Sequence, residues 1–199
     1  MFTFTNKKSI LRKKYLEERN EFSTAEIVEL SEQIFKNFEK RFPVIENQNV
    51  HIFLSIKNFK EIDTQFFINY LWKKKANIFV PKINKNKLIS VKYSPETILK
   101  KNSWGILEPE STENELVSFD YIITPLLYCD HNGNRIGYGK GYYDQFFAEI
   151  NKNAIKIGIG LFTPNEDIED VSETDVPIDY LVLPTEILSF GGVELKSTK

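Results

Sequence analysis

Residues 120–147, DYIITPLLYCDHNGNRIGYGKGYYDQFF, hold the densest set of side chains able to do chemistry. An apolar run leads into Asp130 and a turn at Asn132, Gly133 and Asn134; then come Arg135, glycines at alternate positions (Gly137, Gly139, Gly141), Lys140, and the residues Tyr142, Tyr143 and Asp144. Alternate glycines let a backbone approach a ligand closely, and the amides of a helix that starts just after them favour an anion. Arg135 and Lys140 add positive charge, so the pattern suits a phosphate. Asp144 lies within one turn, and Mg²⁺ on a nucleotide takes only one or two protein carboxylates, the phosphates and waters supplying the rest. The common phosphate motifs do not match. A Walker loop needs Ser or Thr after its Gly-Lys pair, where this chain has Gly141, and the dinucleotide fingerprint needs a glycine where Tyr142 stands. On the glycines alone, a plain strand-to-helix connection fits as well.

Other candidates are weaker. Cys129 and His131 lie two apart and lack a convincing third partner besides His51, so a thiol hydrolase is not favoured, and a lone Cys ending an apolar run reads as a small buried residue. Two His and one Cys also argue against a zinc centre. Charge is uneven along the chain. Residues 72–101 carry nine Lys and one acid, whereas residues 165–179 carry seven acids and no base. Both read first as solvated surface; the sharper reading is that the lysines draw an anionic ligand and that one or two of the carboxylates hold a cation.

The elements that must position these groups alternate in type. Residues 7–19 read as a helix, with Ile10, Leu11, Tyr15 and Leu16 on its apolar side and Lys8 and Arg12 sharing a face. Ser23 and Glu26 form a capping-box pattern, and Ile27, Leu30, Ile34, Phe38 and Phe42 recur at helical spacing until Pro43. Strands are expected at residues 50–56, 77–83, 88–93, 120–129, 155–162 and 180–183, with helices near 64–75 and from Tyr142 onward. That alternation predicts an α/β fold. No repeat, low-complexity tract or linker divides the 199 residues, so one domain spanning 1–199 is expected.

The charge balance of 26 − 28 = −2 gives no bulk case for nucleic-acid binding. The longest unbroken apolar runs, 126–129 and 180–183, are four residues, against the ~20 of a membrane span. With no secretory signal and a single Cys, the chain is expected to be soluble and cytoplasmic.

In order and spacing these residues resemble the 5-formyltetrahydrofolate cyclo-ligases, also called methenyltetrahydrofolate synthetases. The likeness rests on NRIGYGKGYYD (134–144), Pro125 and the strand before it, WGILEP (104–109), the Lys8…Arg12 pair, EIDT (61–64) and VSETDVPIDYLV (171–182). It implies a three-layer α/β domain with a mostly parallel central sheet flanked by helices. It also implies a monomer that uses ATP and Mg²⁺ to convert 5-formyltetrahydrofolate to 5,10-methenyltetrahydrofolate. Carried onto this chain, the ATP contacts are Lys8, Arg12, Arg135, Ile136, Gly137, Tyr138, Gly139, Lys140, Gly141, Tyr142 and Tyr143, with Arg135, Lys140 and Tyr142 nearest the chemistry. Folate contacts are Ile56, Glu61, Trp104, Tyr138, Gly139, Lys140, Gly141 and Tyr142, and the Mg²⁺ carboxylates are Asp144 and Asp175. Whether Lys73, Lys74 and Lys75 touch the substrate's glutamate tail is a question the sequence does not answer. Gln145, Cys129 and Thr174 depart from the residues common in relatives, and the segment 54–61 is about two residues longer. The main alternative is a binding protein of the same fold that no longer turns over, recognised by ligand binding without ATP consumption. A sugar-phosphate isomerase or acyl-CoA transferase is a third reading, separated by strict ATP and Mg²⁺ dependence.

Overall fold

The computed structural model describes residues 7–102, 105–150 and 152–191. Two helices come first, α1 (Lys8–Glu21) and α2 (Thr24–Arg41). The capping box at the start of α2 is present: the Ser23 Oγ accepts from the Glu26 amide at 3.2 Å, and the Ser23 amide donates to Glu26 Oε2 at 2.6 Å, satisfying two otherwise unpaired amides. Strand β1 (Asn49–Ile52), a 3₁₀ turn (Lys57–Phe59), α3 (Gln65–Lys73), β2 (Asn77–Asn84) and β3 (Lys87–Tyr93) follow, then a small hairpin of β4 (Leu99–Lys101) and β5 (Leu107–Pro109). The rest of the chain forms β6 (Tyr121–Pro125), a second small hairpin of β7 (Tyr128–Cys129) and β8 (Arg135–Ile136), α4 (Tyr142–Glu149), β9 (Ile155–Ile159), β10 (Tyr180–Val182) and β11 (Ile187–Ser189).

The main sheet has the order β11-β10-β9-β6-β1-β2-β3. Its five middle strands run parallel, and β3 and β11 close the two edges antiparallel. This is the expected α/β architecture with a mostly parallel sheet. Strand β1 sits between β2 and β6, so the chain leaves it first toward one side and later occupies the other. Such a switch point opens a crevice at the carboxyl ends of the strands.

Alternation along the strands loads both faces. Val50, Ile52, Ile78, Val80, Tyr121 and Ile123 pack with Ile34, Phe38 and Phe42 of the α2 region and with Phe67, Ile68 and Leu71 of α3. Phe79 and Ile122 point the other way, toward Phe146 and Phe147 of α4. Helix α1 lies apart from this core, packing Leu11 and Tyr15 on the β7–β8 hairpin, where the Tyr15 and Tyr128 rings stack 4.1 Å apart. Ile10, expected on the apolar side of α1, is exposed. Among the described residues no helix is long and apolar enough to cross a membrane.

Three strand expectations change, the simplest being the run 155–162, which is strand only to Ile159. The run 50–56 is strand only to Ile52, because farther on the Ile56 amide donates to the Glu61 carboxylate at 2.7 Å instead of to a neighbouring strand. The run 120–129 is two strands. It leaves the sheet after Pro125, and Tyr128–Cys129 pairs with Arg135–Ile136.

Candidate active site

A cavity of about 590 Å³ opens at the switch point, within the range of small-molecule sites. Its apolar wall comes from the ends of sheet strands and the loops beyond them: Phe53, Leu54 and Ile56 after β1, Pro81 and Ile83 on β2, and Leu88 on β3. Phe59 from the 3₁₀ turn and Ile106 and Leu107 near β5 extend it. The facing wall is polar. Lys8 and Arg12 line it from α1, Arg135 from β8, residues 137–141 from the glycine-rich loop, Tyr142, Tyr143 and Asp144 from the first turn of α4, and Asp175 from the segment before β10.

Local conformation explains the loop. Gly139 has φ +84° and Gly141 φ +68°, a region that costs an L side chain roughly 1–2 kcal/mol. A Cβ on Gly139 would also lie 3.0 Å from Arg12 Cζ, so only glycine lets the guanidinium pass this close. Arg12 Nε donates to the Gly137 carbonyl at 2.8 Å, tying α1 to the loop. Gly141 then serves as the left-handed N-cap of α4, leaving Asp144 in the first turn.

Arg135 is the anchor of the polar wall. Its side chain is 6% exposed and donates from one nitrogen to Asp144 Oδ1 at 2.8 Å and from another to the Val176 carbonyl. Its guanidinium also sits 4.6 Å from the Phe147 ring centroid. The Val176 amide adds a second bond to Asp144 Oδ1 at 3.1 Å, so both bonds fall on one oxygen and Oδ2 keeps its lone pairs. Lys8 pairs with Asp175 Oδ2, which also accepts from the Ser172 amide. Partial burial raises the Asp175 carboxyl, but Lys8 and the Ser172 amide outweigh it and hold the group below its usual range.

A family model for the 5-formyltetrahydrofolate cyclo-ligase family matches residues 4–184. The chain belongs to this family. It is similar to the 5-formyltetrahydrofolate cyclo-ligase of Haemophilus influenzae, 32% identical over 143 residues that cover 68% of this chain and 75% of the relative. The cyclo-ligase of Escherichia coli is 28% identical over 153 residues, covering 73% and 82%. Among solved structures, the 5,10-methenyltetrahydrofolate synthetase of Aquifex aeolicus superposes with a TM-score of 0.71 at 28% identity, covering 95% of this chain and 96% of that one. The synthetase of Mycoplasma pneumoniae, at 21% identity and a TM-score of 0.69, shares the fold over 89% of this chain and 98% of its own.

In this cyclo-ligase family member the residues named from sequence converge on one cavity, with three exceptions. Ile136 is buried with Leu11, Tyr15, Leu127 and Tyr128, and its carbonyl accepts from the Leu127 amide, so its side chain serves the hairpin core instead of the cavity. Trp104 lies outside the described residues. Lys73, Lys74 and Lys75 are exposed at and beyond the end of α3 and do not line the cavity. Glu61, 6% exposed, accepts from Tyr138 at 2.6 Å on Oε1 and from the Ile56 amide at 2.7 Å on Oε2. Burial pushes its carboxyl up, while Tyr138, the Ile56 amide and Arg19 pull the other way.

Sequence reasoning missed Arg19, which is buried beneath this cavity and donates to the Tyr138 hydroxyl at 2.7 Å. It also missed the partner of the acidic run. Asp170 accepts from the Lys8 amide, Glu166 pairs with Lys14, and Tyr15 bonds both Asn165 and Glu166, so much of that stretch folds against the basic helix α1. Cys129 is fully buried with burial raising its thiol, and His131 is exposed against Asp167, which removes a thiol–imidazole pair.

Proposed function

We propose that the chain converts 5-formyltetrahydrofolate to 5,10-methenyltetrahydrofolate at the expense of ATP, releasing ADP and phosphate. The observation that carries this reading is one cavity with a cationic, carboxylate-bearing wall facing an apolar wall. The first suits a metal-bound triphosphate and the second a flat reduced pterin.

A formamide oxygen is a poor leaving group, and the proposed chemistry makes it a good one. The formyl oxygen on N5 takes the γ-phosphoryl group, the bond to the β-phosphate oxygen breaks, and an imidate phosphate forms. N10 adds to the formyl carbon and loses its proton. The N5 lone pair then expels inorganic phosphate, closing the 5,10-methenyl bridge. The protein's task in such a step is positioning and neutralising charge. Arg135 and Lys140 with the amides of residues 137–143 would hold the phosphates, joined by Lys8 and Arg12 from α1. Tyr142 would sit beside the formyl group, and Glu61, Ile56 and Tyr138 would hold the pterin, with Trp104 packing on the ring.

The carboxylates fit a magnesium ion of this kind. Among the described residues no three His, Cys, Asp or Glu side chains gather into a ready site, and Asp144 and Asp175 line one cavity together with Lys8, Arg12 and Arg135. Two carboxylates plus phosphate oxygens and water are the usual donor set for Mg²⁺ on a nucleotide, where it neutralises phosphoryl charge. Asp144 would offer Oδ2, since both of its bonds fall on Oδ1, and Asp175 would join it if Lys8 paired with a phosphate instead. We propose further that the chain acts as one domain, as a monomer, in the cytoplasm.

Incubation with 5-formyltetrahydrofolate tests the reading directly. The near-ultraviolet absorbance of the methenyl product is expected only with ATP and Mg²⁺ together. Failure to form product under any of these conditions removes the activity. Tight binding of both ligands with no ATP consumed would instead favour a binding protein of the same fold.

A further inference from the structure

Arg19 is an expensive residue to bury where it stands. It occupies the last turn of α1, is 4% exposed, and lies under the cavity with Phe53, Leu127 and Phe162 around it. Its terminal nitrogen donates to the Tyr138 hydroxyl at 2.7 Å, and that hydroxyl reaches Glu61 Oε1 at 2.6 Å. A guanidinium has no acceptor, so the direction of the chain is set: Arg19 donates to Tyr138, and the tyrosine's own proton goes to Glu61. Lys60 fixes the approach of the segment by donating to the carbonyls of Asn20 and Phe22 at the end of α1. A second, water-sized void of about 10 Å³ lies between Arg19 and Glu61, and the buried Arg19 Nε has no partner among the described residues, so one water has a place beside both groups.

We propose that Arg19 is a positioning residue which, acting through Tyr138, holds Glu61 as a fixed, ionised carboxylate for the substrate's pterin ring. The inference rests on the folate reading above. A carboxylate offers about four lone-pair positions, and Tyr138 and the Ile56 amide use one on each oxygen. Two remain, one per oxygen, which matches a heterocycle presenting two neighbouring N–H donors. A protonated Glu61 would lose one of those positions. The charged and titratable groups facing Glu61 are Arg19 from α1, Tyr138 from the glycine-rich loop and Tyr143 from α4. Burial drives the Glu61 carboxyl up and the Tyr138 bond opposes it, so loss of the hydroxyl moves the group further up. Since the ionised form is the receptive one, binding is lost as pH falls through that value, and the loss then begins at higher pH.

The test is calorimetric titration of the full chain with 5-formyltetrahydrofolate, without ATP, from pH 5 to 9. Tyr138→Phe keeps the ring against Phe59 and under the Arg19 guanidinium and removes only the hydroxyl. It is expected to raise the pH midpoint of binding by about one unit, weakening affinity at the acid end about tenfold and returning toward wild type at the alkaline end. Arg19→Met is expected to shift in the same direction, and Arg19→Lys to recover part of the shift. If circular dichroism shows Arg19→Met unfolded, Tyr138→Phe alone decides. An unmoved midpoint with a uniform loss of affinity at every pH overturns the proposal and makes the triad structural. A wild type that binds no reduced folate at any pH takes down the folate reading and this inference with it, an outcome distinct from an unmoved midpoint.

Discussion

The two walls of the cavity are built by different physics. The apolar wall is largely an extension of the sheet. Its side chains leave strand ends whose register is set by ladder hydrogen bonds and by the core on both faces. The polar wall is stitched from segments far apart in the chain. Lys8 meets Asp175 across 167 positions, Arg12 meets Gly137 across 125, and Arg135 meets Val176 across 41. Hydrophobic packing is nondirectional and survives ligand exchange, whereas an ion pair is satisfied by any suitable counter-charge. The apolar wall is therefore shaped in advance, and the polar wall holds internal stand-ins for a ligand. Lys8 covers Asp175 and Arg135 covers Asp144; under the proposed reading a magnesium ion would take over the carboxylates and a phosphate the cations. The lesson is that a charged cavity wall can be held together by pairing its cations with its own carboxylates.

Breaking that polar wall should have the largest effect. If the proposed reading holds, Asp144→Asn is expected to lower turnover at least about 100-fold, with a weakened response to Mg²⁺, because the metal it would hold supplies several kcal/mol of charge stabilisation. Its circular dichroism should match wild type, and unchanged turnover with a normal magnesium titration removes Asp144 from the metal shell. Arg135→Met comes next and combines two losses. It leaves Asp144 without its partner, for which roughly 3 kcal/mol of stability is expected by chemical denaturation, together with a raised KM for ATP. A fully stable variant would show that the pair does not hold the wall together.

Gly139→Ala probes the tie between α1 and the loop. The backbone strain of about 1–2 kcal/mol, together with displacement of Arg12, is expected to raise the KM for ATP more than that for folate; equal changes would place the loop equally on both ligands.

At neutral pH the smallest effect belongs to the sheet side. His51 on β1 is fully buried against Phe119 and Phe146, and burial pushes it down to about 3. The unfolded chain therefore binds a proton between about pH 6.5 and 3 that the folded one refuses, so stability falls with decreasing pH across that window, by at most about 1.4 kcal/mol per unit. His51→Leu should flatten this slope, measured by denaturant melts at successive pH values. An unchanged slope would assign the acid sensitivity to other groups.

The features legible in the sequence were local ones. The capping box of α2 lies within four residues, and the glycine-rich turn lies within five and starts a helix directly after it, so spacing alone exposes both. The α/β class followed from alternating periodicity. The end of β1 was not legible, because the group that captures the Ile56 amide is a side chain five residues on, in a segment with no periodic signal. Nor was the break in the run 120–129. Its residues are apolar throughout, and only their pairing with Arg135–Ile136 pulls Tyr128–Cys129 out of the sheet. Ile136 sits inside a loop-like motif, yet the same hairpin turns it into core. Six bases in residues 7–19 and seven acids in residues 165–179 lie far apart in the chain, and only the fold brings them together.

Composition and short-range pattern by themselves determined an α/β chain with a glycine-rich turn that starts a helix, because helix caps, turns and strand periodicity are written in neighbouring residues. Tertiary structure alone decided that Arg19 lies under Glu61, that Lys8 covers Asp175, and that an apolar and a charged wall face each other at the sheet's switch point. Those contacts depend on which strands become neighbours, and that is settled by burying both faces of the sheet at once, a property of the whole chain that no local window contains.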